Sequence, residues 1–241
     1  MSGILYLLPV ALGPASSEWL HPPASLILAR RLEHFVVENA KSARAELKRI
    51  GHPAPLQTLA ISELPKHATR SELEALLSPA LTGHDIGLMS EAGCPAVADP
   101  GALLVRRAHE LGIRVVPIVG PSSLLLSLMA SGLNGQGFAF HGYLPVKDPE
   151  RAAAIRELEK ESRRHTRTQL FIETPYRNAA MFDALLANLA PDTRLCVARE
   201  VTTDGELIAT DSIAGWKKRE APDLDRRPTV FLILAETSQR Q

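Results

Sequence analysis

Cysteine is scarce in this chain: only Cys94 and Cys196 occur in 241 residues, and they fall in separate predicted elements. They suggest no disulfide framework, and so little cysteine fits a reducing, cytoplasmic setting. Neither they nor the eight histidines show zinc spacing, so no metal is expected. Long apolar runs are also lacking. The stretch from Ile4 to Leu12 is too short to span a bilayer and has no Lys or Arg before it. It reads as a buried strand rather than a signal peptide, and no membrane association is expected. Net charge is missing too, at a formal zero. Bulk electrostatics therefore favour neither nucleic acid nor membrane, and any basic surface must be local. No GxGxxG follows the first strand, where the chain reads Pro9-Val10-Ala11-Leu12-Gly13-Pro14. Neither a Walker P-loop nor a Gly-x-Ser-x-Gly elbow occurs, so P-loop enzymes, triad hydrolases and zinc enzymes all lose ground.

What is present is an apolar content of 45%, enough for one large globular domain or two small ones. In the first half short apolar runs alternate with helical patterns. Strands are expected at residues 4–9, 35–38, 59–64, 85–89 and 113–119, with helices at 24–32, 41–50, 70–81 and 100–111. Ser71 and Glu74 have the spacing of a capping box, and Asp99 reads as the N-cap of the 100–111 helix. Continuous apolar strands between helices argue for a parallel sheet covered on both faces. The second half reads as helix 122–131, strand 138–143, helix 149–164, strand 169–173, helix 177–189, then strands 194–200, 206–213 and 229–234. Its close in strands and tight turns suggests a second, mixed α+β domain. The expected division is 1–120 and 121–241, and the polar tail Thr237–Gln241 reads as frayed.

The most informative stretch is Asp85 to Ser123, DIGLMSEAGCPAVADPGALLVRRAHELGIRVVPIVGPSS. Two strand-like runs end in small-residue loops, Ser90-Glu91-Ala92-Gly93 and Gly120-Pro121-Ser122-Ser123, and each feeds a helix. If these strands are parallel neighbours, both loops lie on one sheet edge, where open α/β folds bind ligands. Gly93 and Gly120, lacking a Cβ, would let a ligand press on the backbone. The Ser122 and Ser123 amides, at a helix start, could donate to a carboxylate. The alternative is two ordinary loop glycines and a Ser N-cap.

Several segments occur here in the order seen in one family. They are Leu5-Tyr6-Leu7-Leu8-Pro9, Ser90-Glu91-Ala92-Gly93-Cys94-Pro95, Asp99-Pro100-Gly101, Gly120-Pro121-Ser122, Gly142-Tyr143-Leu144-Pro145, Glu173-Thr174-Pro175-Tyr176-Arg177 and Ala198-Arg199-Glu200. The chain thereby resembles class III S-adenosylmethionine methyltransferases (the tetrapyrrole methylase superfamily). It is most similar to the branch called ribosomal RNA small-subunit methyltransferase I, which methylates a cytidine ribose 2′-hydroxyl. The resemblance implies a two-domain α/β homodimer with the cofactor in a cleft between a parallel-sheet N-terminal domain and a mixed α+β C-terminal domain. It differs from that branch in having Glu91 for Asp, Cys94 for Thr, Gly13-Pro14 for Gly-Asn, and Glu38-Asn39-Ala40-Lys41 for an acidic pair followed by Thr-Arg. A tetrapyrrole or other small-molecule methylase, or a non-catalytic cofactor-binding module, are the alternative readings.

By that resemblance S-adenosylmethionine would touch Pro9, Glu91, Ala92, Gly93, Pro95, Val97, Ala98, Pro121, Ser122 and Ser123. Phe171, Ala198 and Thr229 would line its adenine side from the second domain. Transfer is an in-line displacement on an already activated methyl, so the protein mainly aligns the reactants and excludes water. A ribose hydroxyl must also lose its proton. Glu91, Glu173 and Glu200, each expected at a strand's C-terminal end, are the candidate bases; the plain alternative is a cap or an ion pair with Arg177 or Arg199. Asp99 reads as a loop-shaping cap, His141 as a further candidate or a core histidine, and Cys94 as loop filling rather than a reactive thiol. Arg163-Arg164-His165-Thr166-Arg167 and Lys217-Lys218-Arg219 are the tight basic clusters that could meet phosphates.

Overall fold

The computed structural model describes residues 2–14 and 21–235. The expected frayed tail at 237–241 lies outside them. The chain divides into two compact units between Ser122 and Ser123.

The first unit is built on strands β1 (Ile4–Leu8), β2 (His34–Val37), β3 (Ala60–Glu63), β4 (Ile86–Met89) and β5 (Arg114–Pro117). They pair in the order β3-β2-β4-β1-β5, all parallel. Helices α1 (Pro23–Ala29) and α2 (Ala40–Arg49) supply one core layer, in which Leu26 and Leu47 pack with Phe35 and Met89. Helices α3 (Arg70–Leu81) and α4 (Gly101–Glu110) supply the other, where Leu77 and Leu104 pack with Val36 and Leu88. This two-sided cover is why β4 reads Ile-Gly-Leu-Met, with every residue buried. Its one glycine is a packing device: a Cβ on Gly87 would stand 2.7 Å from a Leu8 methyl and 3.0 Å from the Phe35 ring.

Two sequence expectations change here. β4 and β5 are not paired neighbours, because β1 lies between them. The capping box of α3 is formed two residues earlier, by Thr69 and Glu72. The Glu72 amide donates to Thr69 Oγ1 at 3.3 Å, and the Thr69 amide donates to Glu72 Oε2 at 2.7 Å. Glu74 instead takes Arg70 at 3.1 Å and Arg107 at 2.5 Å.

The second unit begins with α5 (Ser123–Ser131) and continues through β6 (Phe138–Tyr143), α6 (Glu150–His165), β7 (Thr168–Ile172) and a 3-10 turn at Pro175–Arg177. It ends with α7 (Asn178–Asn188), β8 (Arg194–Arg199), β9 (Leu207–Ser212), α8 (Ile213–Trp216) and β10 (Thr229–Leu234). The sheet order is β6-β7-β10-β8-β9; β6 and β7 are parallel and the other pairs antiparallel. Central β10 is buried throughout. Phe231 and Ile233 pack with Ile155 and Met181 from α6 and α7. Val230 and Leu232 point the other way, toward Leu128 of α5.

Candidate functional site

Because β1, β4 and β5 are parallel and in register, Pro9, Ser90 and Ile118 emerge from the same edge. The three loops then lock together. Val10 and Gly93 exchange backbone hydrogen bonds, each 2.9 Å. The Cys94 thiol donates to the Pro121 carbonyl at 3.3 Å. Gly120 lies against Pro9 so closely that a Cβ there would be 2.4 Å from Pro9 Cβ. The turns around residues 93 and 121 thus meet within one unit, with the β1 loop as the third wall.

The 95–101 segment is held in an uncommon shape. Ala96 and Ala98 have left-handed φ of 67° and 62°, a conformation costing about 1–3 kcal/mol each for a residue with a Cβ. Asp99 offsets that cost. Its carboxylate accepts the Ala96 amide at 2.9 Å and the Gly101 amide at 2.7 Å. Burial pushes this carboxyl up, and the Gly101, Ala96 and Val97 amides pull only part of the way back. Helix α4 therefore begins at Gly101, with Pro100 at the cap position and Asp99 shaping the loop from one residue earlier. The outcome is a rim on which Glu91, Ala92, Val97 and Ala98 are exposed above buried Pro9, Gly93, Pro95 and Pro121. Ser122 is half-buried in the same loop. Ser123 is the first residue of α5 and belongs to the second unit.

Two glycine arguments from the sequence need correction. The bare face of Gly120 is filled by Pro9, so its lack of a Cβ serves loop packing. Gly93 has φ +72°, and a Cβ there would come 3.2 Å from Leu12 and 3.7 Å from the Pro121 carbonyl. Its need for glycine is conformational first. Cys94 acts as a staple between loops, and burial pushes its thiol pKa up, away from reactivity.

Glu38, at the end of β2, was not singled out by sequence reasoning. Its carboxylate accepts the Glu91 amide at 2.7 Å. Burial pushes its pKa up, the Glu91 amide opposes this, and the Asp99 and Glu91 carboxylates push it up again. The signal available was its place at the C-terminal end of a strand beside β4. Among the described residues the Glu91 carboxylate itself has no recorded hydrogen bond or ion pair, so it is the unengaged acid on this rim.

The second unit presents its own sheet edge. Buried Glu173 follows β7 and accepts the Thr174 amide at 2.6 Å and the Arg177 guanidinium at 2.7 Å. Burial pushes its carboxyl up, but Arg177 and Thr174 outweigh that and hold it below the ordinary value. Glu200 follows β8 at a left-handed φ of 49° and takes Arg227 at 2.7 Å. Thr229 opens β10 between them and donates to the Arg227 carbonyl at 3.0 Å. Phe171 is wholly enclosed and stacks on Phe231 at 5.8 Å; Ala198 is likewise buried. His141 meets Gln169 at 2.6 Å on β7. The two basic clusters are partly neutralised in place. Arg163 faces Glu159 and Asp192, Arg167 and His165 face Glu161, and Arg219 takes Asp211.

Among the described residues, no helix is long and apolar enough to cross a membrane, and no cluster of three acidic, His or Cys side chains is placed to hold a metal.

Known proteins are similar along nearly the whole length. Residues 10–215 match the sequence model of the tetrapyrrole (corrin/porphyrin) methylases. A ribosomal RNA small subunit methyltransferase I from Xylella fastidiosa is 31% identical, over 99% of this chain and 83% of that protein. One of the same name from Escherichia coli O157:H7 is 29% identical, over 99% and 79%. The crystal structure of the methyltransferase CobJ shares the fold, with a TM-score of 0.63 at 19% identity over 97% and 95% of the two chains.

Proposed function

The chain belongs to the tetrapyrrole (corrin/porphyrin) methylase family and is a methyltransferase, and from that premise we propose that it transfers the methyl of S-adenosylmethionine to a ribose 2′-hydroxyl of small-subunit ribosomal RNA. The relatives named above for ribosomal RNA support this substrate over a tetrapyrrole. The observation that carries the cofactor reading is the three-loop junction of Val10, Gly93 and Pro121. A rim of small residues over a locked backbone suits a flat nucleoside and a charged sulfonium without a large countercharge. Pro9, Ala92, Gly93, Pro95, Val97, Ala98, Pro121, Ser122 and Ser123 would hold it; Ala198 and Thr229 remain the proposed adenine-side contacts, whereas Phe171 is enclosed in the core on the other face of the sheet.

When bound, the cofactor supplies an electrophilic methyl group, so the chain's own task is alignment and proton removal. Of the three candidate acids, Glu173 and Glu200 are committed to Arg177 and Arg227. We assign the base role to Glu91, whose carboxylate is unengaged, and give Glu173 and Glu200 the support of the acceptor side. The protein would act as a homodimer in the cytoplasm, where ribosomal subunits are found.

The test is transfer of a radiolabelled methyl from S-adenosylmethionine to small ribosomal subunits from a strain lacking the protein. Label is expected in RNA at one nucleotide, and in a ribose. Label found only in added tetrapyrrole, or no cofactor binding at millimolar concentration, would overturn the reading.

A further inference from the structure

The C-terminal edge of the second sheet carries a feature that methyl transfer itself does not require. Tyr143 ends β6 and, beyond an irregularity in the ladder after Phe140, pairs with Ile172, the end of β7. The Pro175–Arg177 turn follows β7, and Arg226 and Arg227 precede β10, whose Val230 pairs with the same Ile172. The chain has three tyrosines, and two of them stand on this edge exposed, Tyr143 at 58% and Tyr176 at 76%. Exposed aromatic faces are unfavourable to leave in water, so two on one sheet edge call for an occupant.

Tyr176 is also held rather than loose. Pro175 fixes the entry to its turn. The Arg226 amide donates to the Pro175 carbonyl at 3.1 Å, and the Arg226 guanidinium lies over the Tyr176 ring at 5.8 Å. Arg226 has a left-handed φ of 56°, kept by bonds on either side: Asn178 donates to the Arg227 carbonyl at 2.7 Å, and Arg227 grips Glu200 and Asp223. Among the described residues Arg226 has no recorded ion pair, so its charge is unspent. Arg177, bound to Glu173, follows Tyr176 on this edge and interacts electrostatically with Tyr143.

We propose that Tyr176 and Arg226, with Tyr143 on the same sheet edge, form a stacking platform for an unpaired base of the single-stranded RNA substrate. Aromatic faces interleaved with cations are how proteins take up unpaired bases: the ring stacks on the base, and the guanidinium meets the backbone phosphate. A folded duplex offers no free base face and would not use it. This rests on the ribosomal RNA reading above and adds the part of the substrate that the second unit holds.

The test is fluorescence anisotropy of the full chain with a labelled single-stranded RNA of about 12 nucleotides, within the span such platforms cover. Tyr176→Ala should weaken binding about five- to a hundredfold, and Tyr176→Phe should stay near wild type, because stacking needs the ring and not the hydroxyl. Arg226→Ala should weaken binding and lower the salt slope by about 0.7. A fluorescent purine analogue in the RNA should be quenched by wild type and not by Tyr176→Ala. Cofactor affinity by calorimetry should be unchanged in all three, which also shows that they are folded. Equal binding by Tyr176→Ala and wild type, or equal loss in Tyr176→Phe and Tyr176→Ala, would overturn the platform. So would conversion of a dimer to monomers by Tyr176→Ala in sedimentation, which would make this edge a contact between copies. If wild type neither binds the RNA nor labels ribosomal subunits, the substrate reading has failed; if it does both and the variants match it, only the platform has.

Discussion

Glu173 is subject to two opposing influences, and the stronger decides its behaviour. Burial raises its pKa, while the Arg177 guanidinium and the Thr174 amide lower it, and they prevail. A carboxyl held below its ordinary 4.5 favours the folded state when ionised. That stabilisation is fully present above about pH 4.5 and is lost as pH falls through the lower folded value. Glu173→Gln should therefore cost about 1 kcal/mol at neutral pH, a modest figure because Arg177 is open to solvent. It should also flatten the acid side of a plot of denaturation midpoint against pH; a variant whose acid limb stays parallel to wild type would refute the assignment. Glu38 and Asp99 have the opposite sign, since both are raised chiefly by burial, and they oppose stability as pH climbs past their ordinary values. Glu91 tests the chemistry rather than the fold. Glu91→Gln should lower methyl transfer about a hundredfold or more, the range general bases contribute, with cofactor affinity largely kept. Loss of affinity with turnover intact would make Glu91 a binding residue instead. Not all of this was open to sequence reasoning. Glu91, Glu173 and Glu200 stood out as acids at strand ends, but their partners lie on other elements, and only folding shows that two are tied to arginines. Glu38 escaped because its carboxylate acts on a loop 53 residues away.

At the level of elements, local chemistry read well wherever the deciding residues are close in sequence. Strands β6 and β10 and helix α3 fall within the expected bounds because their apolar periodicity and their stop signals sit within each segment. The capping box shows where this fails. Thr69-Arg70-Ser71-Glu72 and Ser71-Glu72-Leu73-Glu74 both fit the pattern, and nothing local chooses between them. The choice is tertiary: Arg107 of α4 is nearly buried and takes two carboxylates, Glu110 on its own helix and Glu74 of α3, each at 2.5 Å. With Glu74 engaged, Glu72 and Thr69 close the helix start. Thr69→Ala should then cost about 1 kcal/mol, read as a lower denaturation midpoint, and Ser71→Ala should cost almost nothing. The reverse ranking would restore the later box. Sheet order failed for a similar reason. The two ligand-loop strands looked adjacent because they follow one another, yet β1 inserts between them. That insertion lets Pro9 and Val10 join the junction, a wall that the order of elements alone did not reveal.

For the molecule as a whole, the proposed binding of an anionic polymer must be reconciled with a formal charge of zero. The two basic runs visible in the sequence are partly spent on internal partners, as Arg163, Arg167 and Arg219 show. Arg227 is spent as well, on Glu200 and Asp223. What the proposed platform offers RNA is Arg226, which has no ion pair among the described residues, set beside exposed Tyr176. Affinity should therefore depend on stacking more than on charge. Neutralising two to four phosphates of a single strand gives a slope of about −1.4 to −2.8 for log affinity against log salt. Binding measured across a salt series should fall in that range, and Tyr176→Ala should lower affinity at every salt concentration without changing the slope. A slope steeper than about −5 would mean a broad basic surface at work.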